Sequence, residues 1–288
     1  MCVVGRSFVI AMARLGFAIV APVSVSVAAQ AATIIPAAAP NPATYADLAD
    51  LSDSAPIVLR AQVRKLVPVD AARARGVRPG WARYYVEART SALLSGNTAL
   101  GEALRYLVDL PLDARGKPPA LKKKDVLLFA RTIPARPGEL QLVAPDAQLL
   151  WDAATEARLR AILAELIAPG APGAITGVRE AINVPGTLAG EGDTQIFLDT
   201  ASGEAASITV QHRPGARPEW GASFSEVLAR VGQPPARDTL AWYRLACFLP
   251  NALPAAANLS DTATSRAQAE SDYRMVLGEL GVCPRTRR

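Results

Sequence analysis

Apolar and polar positions alternate with period two over several short runs in the first half of the chain. Ile57, Leu59, Ala61 and Val63 lie on one side of such a run, opposite Val58, Arg60, Gln62 and Arg64. This is the pattern of a half-buried strand. Tyr84, Val86, Ala88 and Thr90 repeat it against Arg83, Glu87 and Arg89, and Leu104, Tyr106, Val108 and Leu110 predict a third strand. Residues 126–132 and 139–143 predict a fourth and a fifth. Five short strands with turn-rich joints suit a small antiparallel barrel or closed meander. A helix precedes them: Thr44 can cap its first turn, Asp47 stands near the positive end of its dipole, and Tyr45, Leu48 and Leu51 share a face.

The period changes at residue 152. Leu159, Ile162, Leu163, Leu166 and Ile167 fall at helical spacing, with Glu156, Arg158, Arg160 and Glu165 outside that stripe. Pro169, Gly170, Pro172 and Gly173 stop this helix, which joins two domains or lids the first barrel. Strands follow over 175–184, 194–199, 206–213 and 220–224, then a short helix over 225–231 and two closing helices over 239–249 and 265–280. The expected fold class is α+β, mainly antiparallel β. A β-barrel-like domain spans 44–150, and an α+β domain of β-meander and C-terminal helical pair spans 151–288.

Several segments of the first half carry a resemblance. These are the helix Asp47–Ala55 leading into P-I-V-L-R-A-Q-V, the strand end L-L-S-G at Leu93–Gly96, L-P-L-D-A-R-G at Leu110–Gly116 and V-L-L-F-A at Val126–Ala130. Together they resemble the small OB- or netrin-like β-barrel pattern of uncharacterised exported bacterial proteins. The resemblance covers roughly residues 44–150, implies a scaffold and brings no catalytic residue with it.

The start of the chain supplies an address. Arg6 and Arg14 lead into an uncharged run from Leu15 to Val27, followed by Ala29, Gln30 and Ala31. A basic segment, a short apolar segment and a small-x-small site are the parts of a secretory signal peptide, here residues 1–31. The competing arrangement is an uncleaved anchor. A spanning helix needs about 20 apolar residues, more than this run offers, and Pro22, Ser24 and Ser26 dilute it. Cys2 precedes the apolar run, which argues against a lipoprotein. The expected location is periplasmic or secreted, with no stable membrane span after cleavage. Residues 32–43, with Pro36, Pro40 and Pro42 and no charge, read as a Pro/Ala-rich tether. Loss of Cys2 leaves Cys247 and Cys283, which in an oxidising compartment form one disulfide; a catalytic thiol at Cys247 is the competing reading.

Charge divides unevenly. Residues 44–150 hold 16 Lys/Arg against 11 Asp/Glu, and residues 151–288 hold 13 against 15. All five lysines lie in the first half, three of them consecutive at Lys122, Lys123 and Lys124. Such a surface suits an anionic envelope component or a protein partner, or is only a solvated face; nucleic acid is not expected.

The single histidine, His212, excludes two-His metal sites, and the chain has no CxxC, G-x-S-x-G, P-loop or dinucleotide motif. No cofactor or metal is expected. His212 lies at a strand end, where it is a hairpin residue or the base of a triad with Ser207 or Ser223 and Asp199. Glu191 and Asp193, in a Gly-rich turn, form a carboxylate pair able to do acid–base work or hold calcium, or are turn polarity. Trp220, Trp242 and Tyr243 offer a sugar-stacking surface or core, and Asn258-Leu259-Ser260 matches a glycosylation acceptor. The function expected is a non-enzymatic binding or assembly factor of the envelope. The alternative is a periplasmic hydrolase using Glu191 and Asp193. An enzyme should gather Glu191, Asp193 and His212 in one concavity, and a binding module should show a continuous basic or aromatic face.

Overall fold

Helix α1 (Tyr45–Ser54) begins at a reciprocal cap: the Thr44 hydroxyl accepts from the Asp47 N–H, and the Asp47 carboxylate accepts from the Thr44 N–H. Leu48 and Leu51 are buried beneath it. The computed structural model describes residues 43–227 and 231–287, all within one compact unit. The expected leader and residues 32–42 of the tether lie outside the described residues.

Five strands then close a barrel: β1 (Ile57–Pro68), β2 (Trp81–Ser95), β3 (Ala103–Pro111), β4 (Asp125–Thr132) and β5 (Glu139–Leu142). Their order is β1-β2-β3-β5-β4, and β4 returns to pair with β1 from Ile57↔Ala130 to Gln62↔Asp125. Closure demands curl. Three register shifts between β1 and β2, from Val58 to Lys65, supply it as bulges. Tyr84, Val86 and Ala88 of β2 and Leu104, Tyr106 and Val108 of β3 are buried, as the alternation predicts. Val126–Ala130 of β4 are buried at every position, because β4 faces the barrel core on one side and α1 on the other. A strand not anticipated from sequence, β6 (Gln148–Leu150), adds to the first half of β4.

Asp152 caps helix α2 (Ala153–Ile167), which packs on α1 through buried Leu159, Ile162 and Leu163. The expected division between residues 150 and 151 falls in the short link from β6 to α2. A second, antiparallel sheet follows in the order β10-β9-β8-β7: β7 (Ile175–Pro185), β8 (Gly192–Thr200), β9 (Ala206–His212) and β10 (Glu219–Ser223). Helix α3 (Leu240–Ala246) precedes α4 (Ala263–Leu280), which lies against β7 and β8. The helix expected over 225–231 is not formed at Ser225–Val227, where the Ser225 hydroxyl accepts from the Val227 N–H in a local turn; residues 228–230 are outside the described residues.

Cys247, just past α3, is bonded to Cys283, just past α4, with Cα atoms 5.2 Å apart. The segment after Cys283 folds back on α1 as a strap. The Thr44 hydroxyl donates to the Pro284 carbonyl at 2.8 Å. Asp47 accepts from the Thr286 N–H at 3.0 Å, the Thr286 hydroxyl at 2.6 Å and the Arg287 N–H at 3.0 Å. Arg285 forks onto Asp50, whose Oδ1 also accepts from the Tyr243 hydroxyl at 2.6 Å. No helix among the described residues is long and apolar enough to cross a membrane.

Candidate functional site

Concavities on the barrel and beside the second sheet carry polar side chains that could meet a ligand. The first is a groove of about 480 Å³ on the barrel, between β3 and β5. These strands pair in parallel only at Arg105↔Glu139 and Tyr106↔Leu140, and meet again where the Asp109 N–H donates to the Pro145 carbonyl at 2.7 Å. Between the two ties β3 advances from 106 to 109 while the other segment advances from 140 to 145. The longer side bows away toward β4, where Leu142 pairs with Ala130 and the Val143 N–H reaches Phe129, and the groove opens in the gap.

Leu107, Leu142 and Val143 give the groove apolar walls, and Tyr85 of β2 stands directly across from Leu107. Three arginines line it against two carboxylates. Arg83 holds buried Asp109 through two parallel bonds of 2.7 and 2.9 Å. Those bonds raise the guanidinium's pKa above its ordinary value, with burial opposing. Burial also raises the Tyr106 hydroxyl's pKa. Arg136 reaches Glu139 at 3.4 Å in an exposed pair of the kind worth little in water. Arg105 is exposed and makes no ion pair among the described residues; Glu87, its cross-strand neighbour, is held by Lys65 at 3.3 Å.

The second concavity is a cleft of about 520 Å³ beside the β7–β8 turn, and Glu191, Asp193 and His212 all line it. Glu191 is exposed, and its Oε2 accepts from the Thr187 and Leu188 N–H groups, each at 3.1 Å, so this carboxylate braces its own turn. Asp193 is exposed at the start of β8. His212 ends β9, and its acidic partner is Asp272 of α4, not Asp199: Nε2 lies 2.8 Å from Asp272 Oδ1. Asp272 is 2% exposed and also accepts from the Gln268 amide at 2.8 Å and from the Thr194 hydroxyl. Asn183 in turn donates to the Thr194 hydroxyl at 2.9 Å.

The other sequence candidates fall elsewhere. Lys122, Lys123 and Lys124 are exposed on the turn before β4, which is tied to β1 by the Lys123 N–H to Val63 carbonyl bond, and they line neither concavity. Trp220 is 3% exposed with its indole N–H on Glu279, and Trp242 is 2% exposed with its N–H on the Leu280 carbonyl. Neither ring presents a face for stacking. Asn258 is buried, with its amide on the Arg266 carbonyl and its oxygen accepting from Ser260, so no sugar can be attached without unmaking those bonds. Asp272 is the residue that sequence reasoning missed. The signal for it was present: it shares the buried stripe of α4 with Ala269, Tyr273 and Val276, where a carboxylate needs partners. The chain matches no protein-family model and no curated protein.

Proposed function

We propose that the protein is an extracytoplasmic binding protein whose barrel groove takes an anionic envelope component. The observation that carries this reading is the pairing of apolar walls with Arg105, a cation with no ion-pair partner among the described residues, in a groove whose two carboxylates are already engaged. An anion seated there would gain Arg105 and draw Arg136 from its weak surface pair. The disulfide supports an oxidising compartment. The strand order 1-2-3-5-4-1 supports the reading by fold analogy alone, since OB barrels bind along strands 2 and 3 and the loops beside them. Here Tyr85 and Leu107 come from those strands and Arg136 from the turn between β4 and β5.

Calorimetric titration of the chain with dextran sulfate and with phosphatidylglycerol vesicles tests this. At least one probe should bind, and the double variant Arg105→Ala/Arg136→Ala should weaken it about 30-fold, from roughly 1 kcal/mol per surface cation. Binding of neither probe, or binding that the double variant leaves intact, refutes it.

A further inference from the structure

The buried carboxylate of Asp272 has an expensive position and a specific target. Burying an aspartate between a helix and a sheet costs free energy unless its oxygens are saturated. Thr194 and Gln268 supply donors, and the third comes from His212, whose side chain is 20% exposed at the junction of two clefts of about 520 and 260 Å³. A carboxylate can only accept, so Nε2 of His212 donates. In the neutral ring that leaves Nδ1 as the acceptor, and Nδ1 has no protein partner among the described residues. The Gln268 amide, 3.3 Å from the same Nε2, spends its N–H on Asp272, and the result is an imidazole held in one tautomer where two clefts meet.

From this geometry we propose that His212 is a general base that activates water against an uncharged carboxylic ester, with Asp272 as its positioning residue. Nδ1 takes a proton from water as the water oxygen bonds to the ester carbonyl carbon. The tetrahedral adduct then breaks its bond to the alcohol oxygen, which leaves with the proton from Nδ1. One ester and one water give one acid and one alcohol, and His212 returns to its starting form. The charge of the cleft selects the substrate. Glu191 and Asp193 line it with two carboxylates against one guanidinium, Arg213, which is engaged by Gln211 at 2.7 Å and Glu219 at 3.6 Å. A phosphate ester would meet net negative charge there, whereas a neutral ester would not.

His212 is the chain's only histidine, so each readout reports one imidazole. The chain should hydrolyse 4-nitrophenyl acetate faster than an equal concentration of free imidazole and leave 4-nitrophenyl phosphate intact. His212→Gln and Asp272→Asn should each lower the ester rate about 100-fold, the usual contribution of a positioned base. Nitrogen NMR of histidine-labelled protein should show the Nε2–H tautomer, which leaves Nδ1 as the base, and the loss of ester rate in His212→Gln separates that role from a merely structural contact. If Asp272→Asn fails to fold, His212→Gln and the tautomer decide. A rate no better than free imidazole, a folded Asp272→Asn with undiminished rate, or an Nδ1–H tautomer overturns the proposal.

Discussion

Replacing Asp47 with alanine is the most informative single perturbation of the fold, because one carboxylate joins the two ends of the described chain. Asp47 completes the cap of α1 through the Thr44 N–H at 2.9 Å and holds the strap through Thr286 and Arg287. Loss of a cap costs about 1 kcal/mol. Each strap hydrogen bond to an ionised acceptor is worth about 1.5–3 kcal/mol. The strap can, however, swing into water once released, so its donors need not stay unsatisfied. The docking energy of the strap therefore bounds the loss, and a total near ~3 kcal/mol follows from these ranges. For a chain of this size that is a fall in Tm of about 6–12 °C. Urea denaturation at pH 7 measures it. Acid supplies the second arm. Burial raises the Asp47 pKa, but the bonds from Thr286, Thr44 and Arg287 outweigh it and hold the pKa below the ordinary aspartate value. A group depressed in the folded state stabilises above its unfolded pKa of about 3.9 and loses that contribution as pH falls through the folded value. The gap between wild type and Asp47→Ala should thus narrow below pH 4. A loss under 1 kcal/mol at pH 7, or a gap that does not change with acid, would refute the reasoning.

Two further outcomes are expected. Cys247→Ser/Cys283→Ser should lose about 3–4 kcal/mol, from the chain entropy of a loop with sequence separation 36, and thiol labelling of unreduced wild type should find no free cysteine at either position. Protein recovered from the envelope should begin near Ala32 by intact mass, and retention of Met1 would return the leader to the status of an anchor.

Local pattern made the strands legible and left their partners hidden. Tyr84, Val86 and Ala88 announce which side of β2 is buried, because side chains alternate by geometry whatever lies beside the strand. Nothing in that alternation says that β4 returns to β1 or that β3 meets β5 in parallel. Those pairings depend on residues 63 to 73 positions apart at the closure, from Gln62↔Asp125 to Ile57↔Ala130, and on bulges in β1 that leave no mark in composition. The Thr44–Asp47 cap was readable from spacing alone, since both partners lie within one turn. β6 escaped notice because three residues show no period. The cleft was half legible: Glu191, Asp193 and His212 are a turn and a strand end, but Asp272 stands 60 residues beyond His212, on a helix where an acid reads as solvated unless the whole stripe is traced.

The strap also dictates an order of events. The hydroxyl that begins α1 and the carbonyl that receives it are 240 positions apart, and Asp47 waits on residues 286 and 287. A ribosome or translocon delivering the chain from its first residue releases α1 long before its partners exist. The barrel strands can pair meanwhile, yet α1 stays unlatched until residues 284–287 arrive. Locking of α1 is thereby deferred until residues 284–287 have been delivered, so the barrel strands meet while its outer helix is still loose.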